Sequence, residues 1–158
     1  MVFENIVVAY DGSEQSLQAV KKAGELAEFY PDTQLHVVYV TTHPNAQLPA
    51  NFNANSTDTR QYLLSKEDIL DLFNKTIADE TKKVQQGIEG YLVGIDSQVT
   101  IEVIPGYTPA ADLLAFAKKI NADLIVMGSR GLGAIRGVLG SVSYAVLRES
   151  SIPVLVVK

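Results

Sequence analysis

Apolar residues fall along the chain in two alternating rhythms. Five short runs have strand character: Ile6–Tyr10 (IVVAY), Leu35–Val40 (LHVVYV), Val99–Ile104 (VTIEVI), Leu124–Met127 (LIVM) and Val154–Val157 (VLVV). Three of them are near-continuous runs rich in Val and Ile, which suits strands covered on both faces, as in a parallel sheet. The run VTIEVI alternates more and fits an edge strand. Between the runs the period lengthens. In Ser13–Tyr30, Leu17, Val20, Ala23, Leu26 and Ala27 form one helical stripe, with Asp11 and Ser13 as N-cap candidates and Pro31 as the stop. Ser65–Leu92 steps by three and four through Ile69, Leu72, Phe73, Thr76, Ile77 and Glu80, and Ser65 with Asp68 resembles a capping box. Thr108–Ile120 carries Leu113, Leu114, Phe116 and Ala117 behind a first-turn Pro109. A last helix is expected from about Gly140 to Glu149.

The order is β-α-β-α-β-α-β-α-β, which predicts an α/β domain with a parallel sheet and right-handed crossovers. Nothing marks a boundary, so residues 1–158 are expected to form one domain. The stretch 42–61 is rich in Asn, Thr, Ser and Pro and reads as an excursion from it.

Composition narrows the class. The 158 residues are 47% hydrophobic and 20% charged with net charge −5, ordinary for a globular protein. No basic stripe offsets the acidity, so nucleic acid and anionic membranes are not expected partners. There is no cysteine, which excludes disulfides, a thiolate nucleophile and cysteine-ligated metal. No signal-peptide or membrane-span pattern opens the chain, and a cytoplasmic location is expected. His36 sits within a strand and His43 opens the polar excursion, a poor basis for a zinc site.

In open parallel sheets, ligands bind beyond the carboxyl ends of the strands. Three polar or glycine-rich segments fall there: Tyr10–Ser13, Pro105–Thr108, and the stretch GSRGLGAIRGVLGSVS from Gly128 to Ser143. The last has five glycines in thirteen residues, at 128, 131, 133, 137 and 140. Glycine lets backbone N–H groups approach an anion closely, and the start of a helix favours phosphate. Ser141 and Ser143 hydroxyls and the Arg130 guanidinium could add donors. The same glycines also suit an ordinary loop, and Ser141 an ordinary cap. The stretch is not a P-loop, because no Gly-Lys-Ser/Thr follows, and the dinucleotide fingerprint belongs after the first strand.

The combination of Val8-Ala9-Tyr10-Asp11-Gly12-Ser13, the strand Leu35-His36-Val37-Val38 and the tail MGSRGLG…LGSVSYAVLRESSIPVLVVK resembles the universal stress protein family over essentially the whole chain. The resemblance implies a three-layer, Rossmann-like α/β/α fold with strand order 3-2-1-4-5. It also implies binding of ATP, ADP or AMP by a regulatory module of the stress response. Members that bind ATP carry G-x2-G-x9-G-[ST]; Gly128, Gly131, Gly140 and Ser141 match it, with eight residues rather than nine between Gly131 and Gly140. By position, the resemblance places Ala9, Tyr10 and Asp11 beside the adenosine, with Asp11 near the ribose or a phosphate-bound Mg2+ or Mn2+. It places the Val37 backbone at the adenine edge, Met127 on the base and Gly106 at the flank. Gly128, Arg130, Gly131, Gly140, Ser141, Val142 and Ser143 surround the phosphates. It further implies a homodimer through the C-terminal strand 154–158, and a downstream protein partner that the sequence does not name. A slow ATP hydrolase or phosphotransferase and a nucleotide-free interaction protein are the alternative readings. Related ATP pyrophosphatase-type enzymes use an SGGxDS loop where this chain reads AYDGSEQS.

Overall fold

The computed structural model describes residues 3–30, 32–41, 66–92, 98–133 and 138–158, with the side chains of 66–69 outside that description. Along the chain run β1 (Asn5–Ala9), α1 (Glu14–Glu28), β2 (Gln34–Thr41), α2 (Lys66–Ile88), a short 3-10 turn (Glu89–Tyr91), β3 (Val99–Pro105), α3 (Pro109–Lys119), β4 (Leu124–Gly128), α4 (Ser141–Glu149) and β5 (Val154–Val157). All strand pairs are parallel, in the order β3-β2-β1-β4-β5. The five strand runs and the sheet order expected from the sequence are therefore present, with β3 at one edge. The excursion at 42–61, Gly137, and the capping box of Ser65 and Asp68 lie outside the described residues.

Side-chain alternation along the strands sorts the core into two layers. Ile6, Val8, Leu35, Val37 and Val126 meet Ala19, Val20, Ala23 and Ala27 of α1 and Val84 and Ile88 of α2. Val7, Val38, Ile125 and Met127 meet Leu113 and Ala117 of α3 and Val146 of α4. The sheet is thus sandwiched between two helical layers. Neither face is left to water, which is why β1 and β4 read as unbroken apolar runs.

The α1 start is settled locally. Ser13 is the N-cap, its Oγ accepting from Ser16 N at 3.2 Å, while Asp11 Oδ1 accepts from Ser13 N at 2.9 Å. Of the two cap candidates, Ser13 closes the helix and Asp11 shapes the turn before it. Gly12, between them, has φ +82°, a conformation that L side chains rarely adopt. At the far end, Asp123 Oδ2 accepts from Glu4 N and Asn5 N at 2.8 and 3.0 Å, tying the start of β1 to that of β4.

Candidate nucleotide site

The ends of β1 and β4 are the neighbours at which sheet order reverses, and a cavity of about 590 Å³ opens above them. That lies within the usual range of small-molecule sites, about 300–1,000 Å³. Its two ends differ in chemistry. Over β1 and β2, beneath the start of α3, it is lined by Ala9, Val38, Val40, Pro109 and Leu113, with Met127 on β4 beside them. Over β4 and α4 it is lined by the backbone-rich segments Gly128, Arg130–Gly133 and Val138–Ser143.

The glycine end is held together by backbone and one buried hydroxyl. Ser129 N donates to Val157 O at 2.7 Å, and Gly140 N donates to Ser129 O at 2.9 Å, closing the loop at its base. Ser143, 4% exposed, donates its Oγ–H to Gly128 O at 2.8 Å and fixes the first turn of α4 to the end of β4. The first N–H of α4 to bond back is that of Tyr144, to Gly140 O at 2.8 Å. The N-cap Gly140 has no side chain to offer, and no described residue accepts from the N–H groups of Ser141, Val142 or Ser143. Three donors and the positive end of the helix dipole therefore line the cavity, the arrangement that suits an anion.

Two glycines make this geometry possible by close approach. A Cβ on Gly128 would lie 2.8 Å from the carbonyl carbon of Gln15, so α1 and β4 touch there backbone to backbone. A Cβ on Gly131 would fall against Asp11 Oδ2. Asp11 thus sits between the first turn and the glycine loop, with one oxygen engaged by Ser13 N. Asp11 and Arg130 are the charged residues among the described lining. Burial pushes the Tyr10 hydroxyl above its ordinary pKa, helped by the neighbouring Asp11 carboxylate. No group of three His, Cys, Asp or Glu able to hold a metal ion occurs among the described residues.

The structure brings together eleven of the thirteen residues singled out from the sequence: Ala9, Tyr10, Asp11, Met127, Gly128, Arg130, Gly131, Gly140, Ser141, Val142 and Ser143 all line the cavity. Val37, expected at the adenine edge through its backbone, is not among the lining residues; its side chain is buried in the α1/α2 layer, and strand alternation turns the side chains of Val38 and Val40 to the cavity. Gly106 is outside the lining; a Cβ there would run into the Asp112 carboxylate first and would also meet Val40 Cγ1 at 3.0 Å. The Ser143 hydroxyl is committed to Gly128 O, so what this residue presents to the cavity is its N–H. Sequence reasoning missed Ser16, Pro109, Leu113 and the exposed apolar Leu132 and Val138. Pro109 and Leu113, four apart at the start of α3, carried the one signal that could have found them.

A parallel sheet whose order reverses between β1 and β4, with helices on both faces, defines a doubly wound α/β protein. The model of the universal stress protein family matches residues 3–158. A universal stress protein of Methanocaldococcus jannaschii is 35% identical over 99% of this chain and 83% of its own length. The chain belongs to the universal stress protein family. Among solved structures, UspA of Lactobacillus plantarum superposes with a TM-score of 0.72 at 21% identity, covering 100% of this chain and 99% of that one. A universal stress protein in complex with cAMP superposes at 0.63 with 24% identity, covering 99% of this chain and 98% of that one. These likenesses establish the fold. No helix among the described residues is long and apolar enough to cross a membrane.

Proposed function

We propose that the cavity binds an adenine nucleotide, ATP, ADP or AMP, and that the protein acts as a regulatory nucleotide-binding module of the stress response. The observation that carries this reading is the division of one cavity into an apolar slot over β1–β2 and an N–H-lined anion end at α4. A purine and a phosphate joined by a ribose need those two environments side by side. The cAMP complex of a structural neighbour supports it. Asp11, between the two ends, is the residue that would meet a divalent cation carried in on the phosphates. Efficient phosphoryl transfer needs a positioned base as well as metal carboxylates, and Asp11 is the one carboxylate in the described lining. Binding rather than turnover is the reading adopted.

The same proposal includes a homodimer through β5. Ile125 N donates to Pro153 O and Ser129 N to Val157 O, so the odd-numbered residues of the last strand face β4. Val154 and Val156 therefore turn their backbone groups to the sheet edge, where a second copy can pair.

Calorimetric titration with ATP, ADP, AMP and GTP tests the binding reading. Adenine nucleotides are expected to bind, and Gly140→Val to abolish binding while the protein stays folded. Absence of binding by every adenine nucleotide at millimolar concentration would leave the nucleotide-free interaction protein as the better account. Phosphate release at about 1 per second or faster would favour an enzyme.

A further inference from the structure

The anion end of the cavity offers backbone donors but little net positive charge. Its described lining holds one cation, Arg130, and one carboxylate, Asp11, whose formal charges cancel. Asp11 does not stand aside from the loop. Its Oδ2 lies where a Cβ on Gly131 would fall, and its Oδ1 is fixed by Ser13 N at 2.9 Å. The free N–H groups of Ser141, Val142 and Ser143 belong to one helical turn, a set sized for one phosphate group. Away from that turn the lining changes character. Leu132, Val138 and Leu139 also line the cavity, and they are 79%, 61% and 36% exposed, so apolar side chains stand on its solvent side. They offer no donor to a second or third phosphate, and charge pressed against them loses water without compensation. The chain as a whole carries −5, which adds a like-charge background.

We infer that the cavity selects a nucleotide with a single phosphate, AMP over ADP and ATP. The inference rests on the nucleotide reading above and chooses among its three ligands. One phosphate takes the α4 N–H groups and Arg130. The further phosphates of ATP bring their charge to Asp11 and to the apolar side chains, with no second cation in the described lining to meet it. Specificity is a difference of affinities, and groups that reject the competitor count as much as those that hold the ligand.

Calorimetric competition among AMP, ADP and ATP on the full-length protein, in EDTA and then in excess Mg2+, tests this. In EDTA, AMP is expected to bind at least about tenfold more tightly than ATP, with ADP between them. Mg2+ is expected to narrow the gap, since it neutralises the outer phosphates. Two variants ask whether the named groups set the ratio. Asp11→Asn removes the opposing charge yet keeps an oxygen for Ser13 N, and Leu132→Lys adds a cation at an exposed position. Each is expected to tighten ATP at least about threefold more than AMP. ATP binding as tightly as AMP in EDTA overturns the inference and leaves nucleotide binding standing. A ratio unmoved in both variants also overturns it, because other groups would then be the selector. Arg136 lies outside the described residues; loss of ATP but not AMP in Arg136→Ala would identify it as a cation for the outer phosphates and would likewise overturn the inference. If the wild-type protein binds no adenine nucleotide, both readings fall together.

Discussion

Gly128 and Gly140 flank the same loop, yet the structure gives them opposite reasons for being glycine. A Cβ on Gly128 would lie 2.8 Å from the carbonyl carbon and Cβ of Gln15 and 3.0 Å from its carbonyl oxygen. Two of these atoms are backbone at the start of α1 and cannot swing away. Gly128→Ala therefore has to push α1 off the sheet, at an overpacking cost of about 1–3 kcal/mol. At roughly 2–4 °C per kcal/mol for a chain of this length, the melting temperature should fall by roughly 2–12 °C. At Gly140 the added Cβ would meet Arg130 Cα at 3.3 Å and Ser129 O and Ser143 Oγ at 3.6 Å, with the backbone at φ −63° and ψ 152°. Those contacts need only a few tenths of an ångström of give. Alanine is a poorer N-cap than glycine, by around 0.5 kcal/mol. It also restricts the unfolded chain, worth about 0.4–1 kcal/mol in the other direction. The two nearly cancel. Urea and thermal unfolding of both variants, read by circular dichroism, check the pair. A wild-type midpoint in Gly128→Ala would refute the close-approach argument. An equal loss in Gly140→Ala would show that Gly140 serves the fold and not the cavity.

Three further outcomes are expected. Ser143→Ala removes the donor to Gly128 O inside a buried turn and should destabilise by about 1–3 kcal/mol, measured by urea unfolding. His36 sits between Asn5 Oδ1 (3.2 Å) and Thr100 Oγ1 (2.8 Å), and burial holds its pKa below the ordinary histidine value against the opposing pull of Glu102. A depressed pKa means that the unfolded chain takes up its proton first, so stability present above pH 6.5 is lost as pH falls through the folded value. Unfolding midpoints between pH 7 and 5 should therefore drop less steeply in His36→Gln than in wild type. Val156→Pro removes an outward-facing strand N–H and should convert a dimer to monomer in sedimentation equilibrium; a dimer that survives the change pairs through another surface.

The asymmetry of the two flanking glycines also shows where local patterning stopped being informative. Strand runs, helix stripes and their alternation follow from side-chain period, a property of neighbours in sequence, and β1, β2, β3, β4 and β5 lie where those periods put them. Glycine density after β4 marked an anion-suited loop for the same reason. Register on a strand buried on both faces is another matter. In LHVVYV, Val37 and Val38 are equally apolar, and only packing against α1 and α2 on one side and α3 on the other decides which of them faces the cavity. Ser143 was likewise an apparent free hydroxyl until the packing of α4 on β4 committed it to Gly128 O, whereas Asp11 and Ser13, equal cap candidates, were told apart by the local geometry of one turn.

The amino-acid order by itself determined the α/β alternation, the location of the glycine loop and the family resemblance, because these depend on spacing within short windows. The tertiary structure alone decided which faces meet. It set α3's Pro109 and Leu113 over β2, gave Gly128 its contact with Gln15, and put Gly131 against Asp11. Each of those joins segments far apart in the chain. Such contacts are selected by the packing of whole layers, which no local pattern encodes.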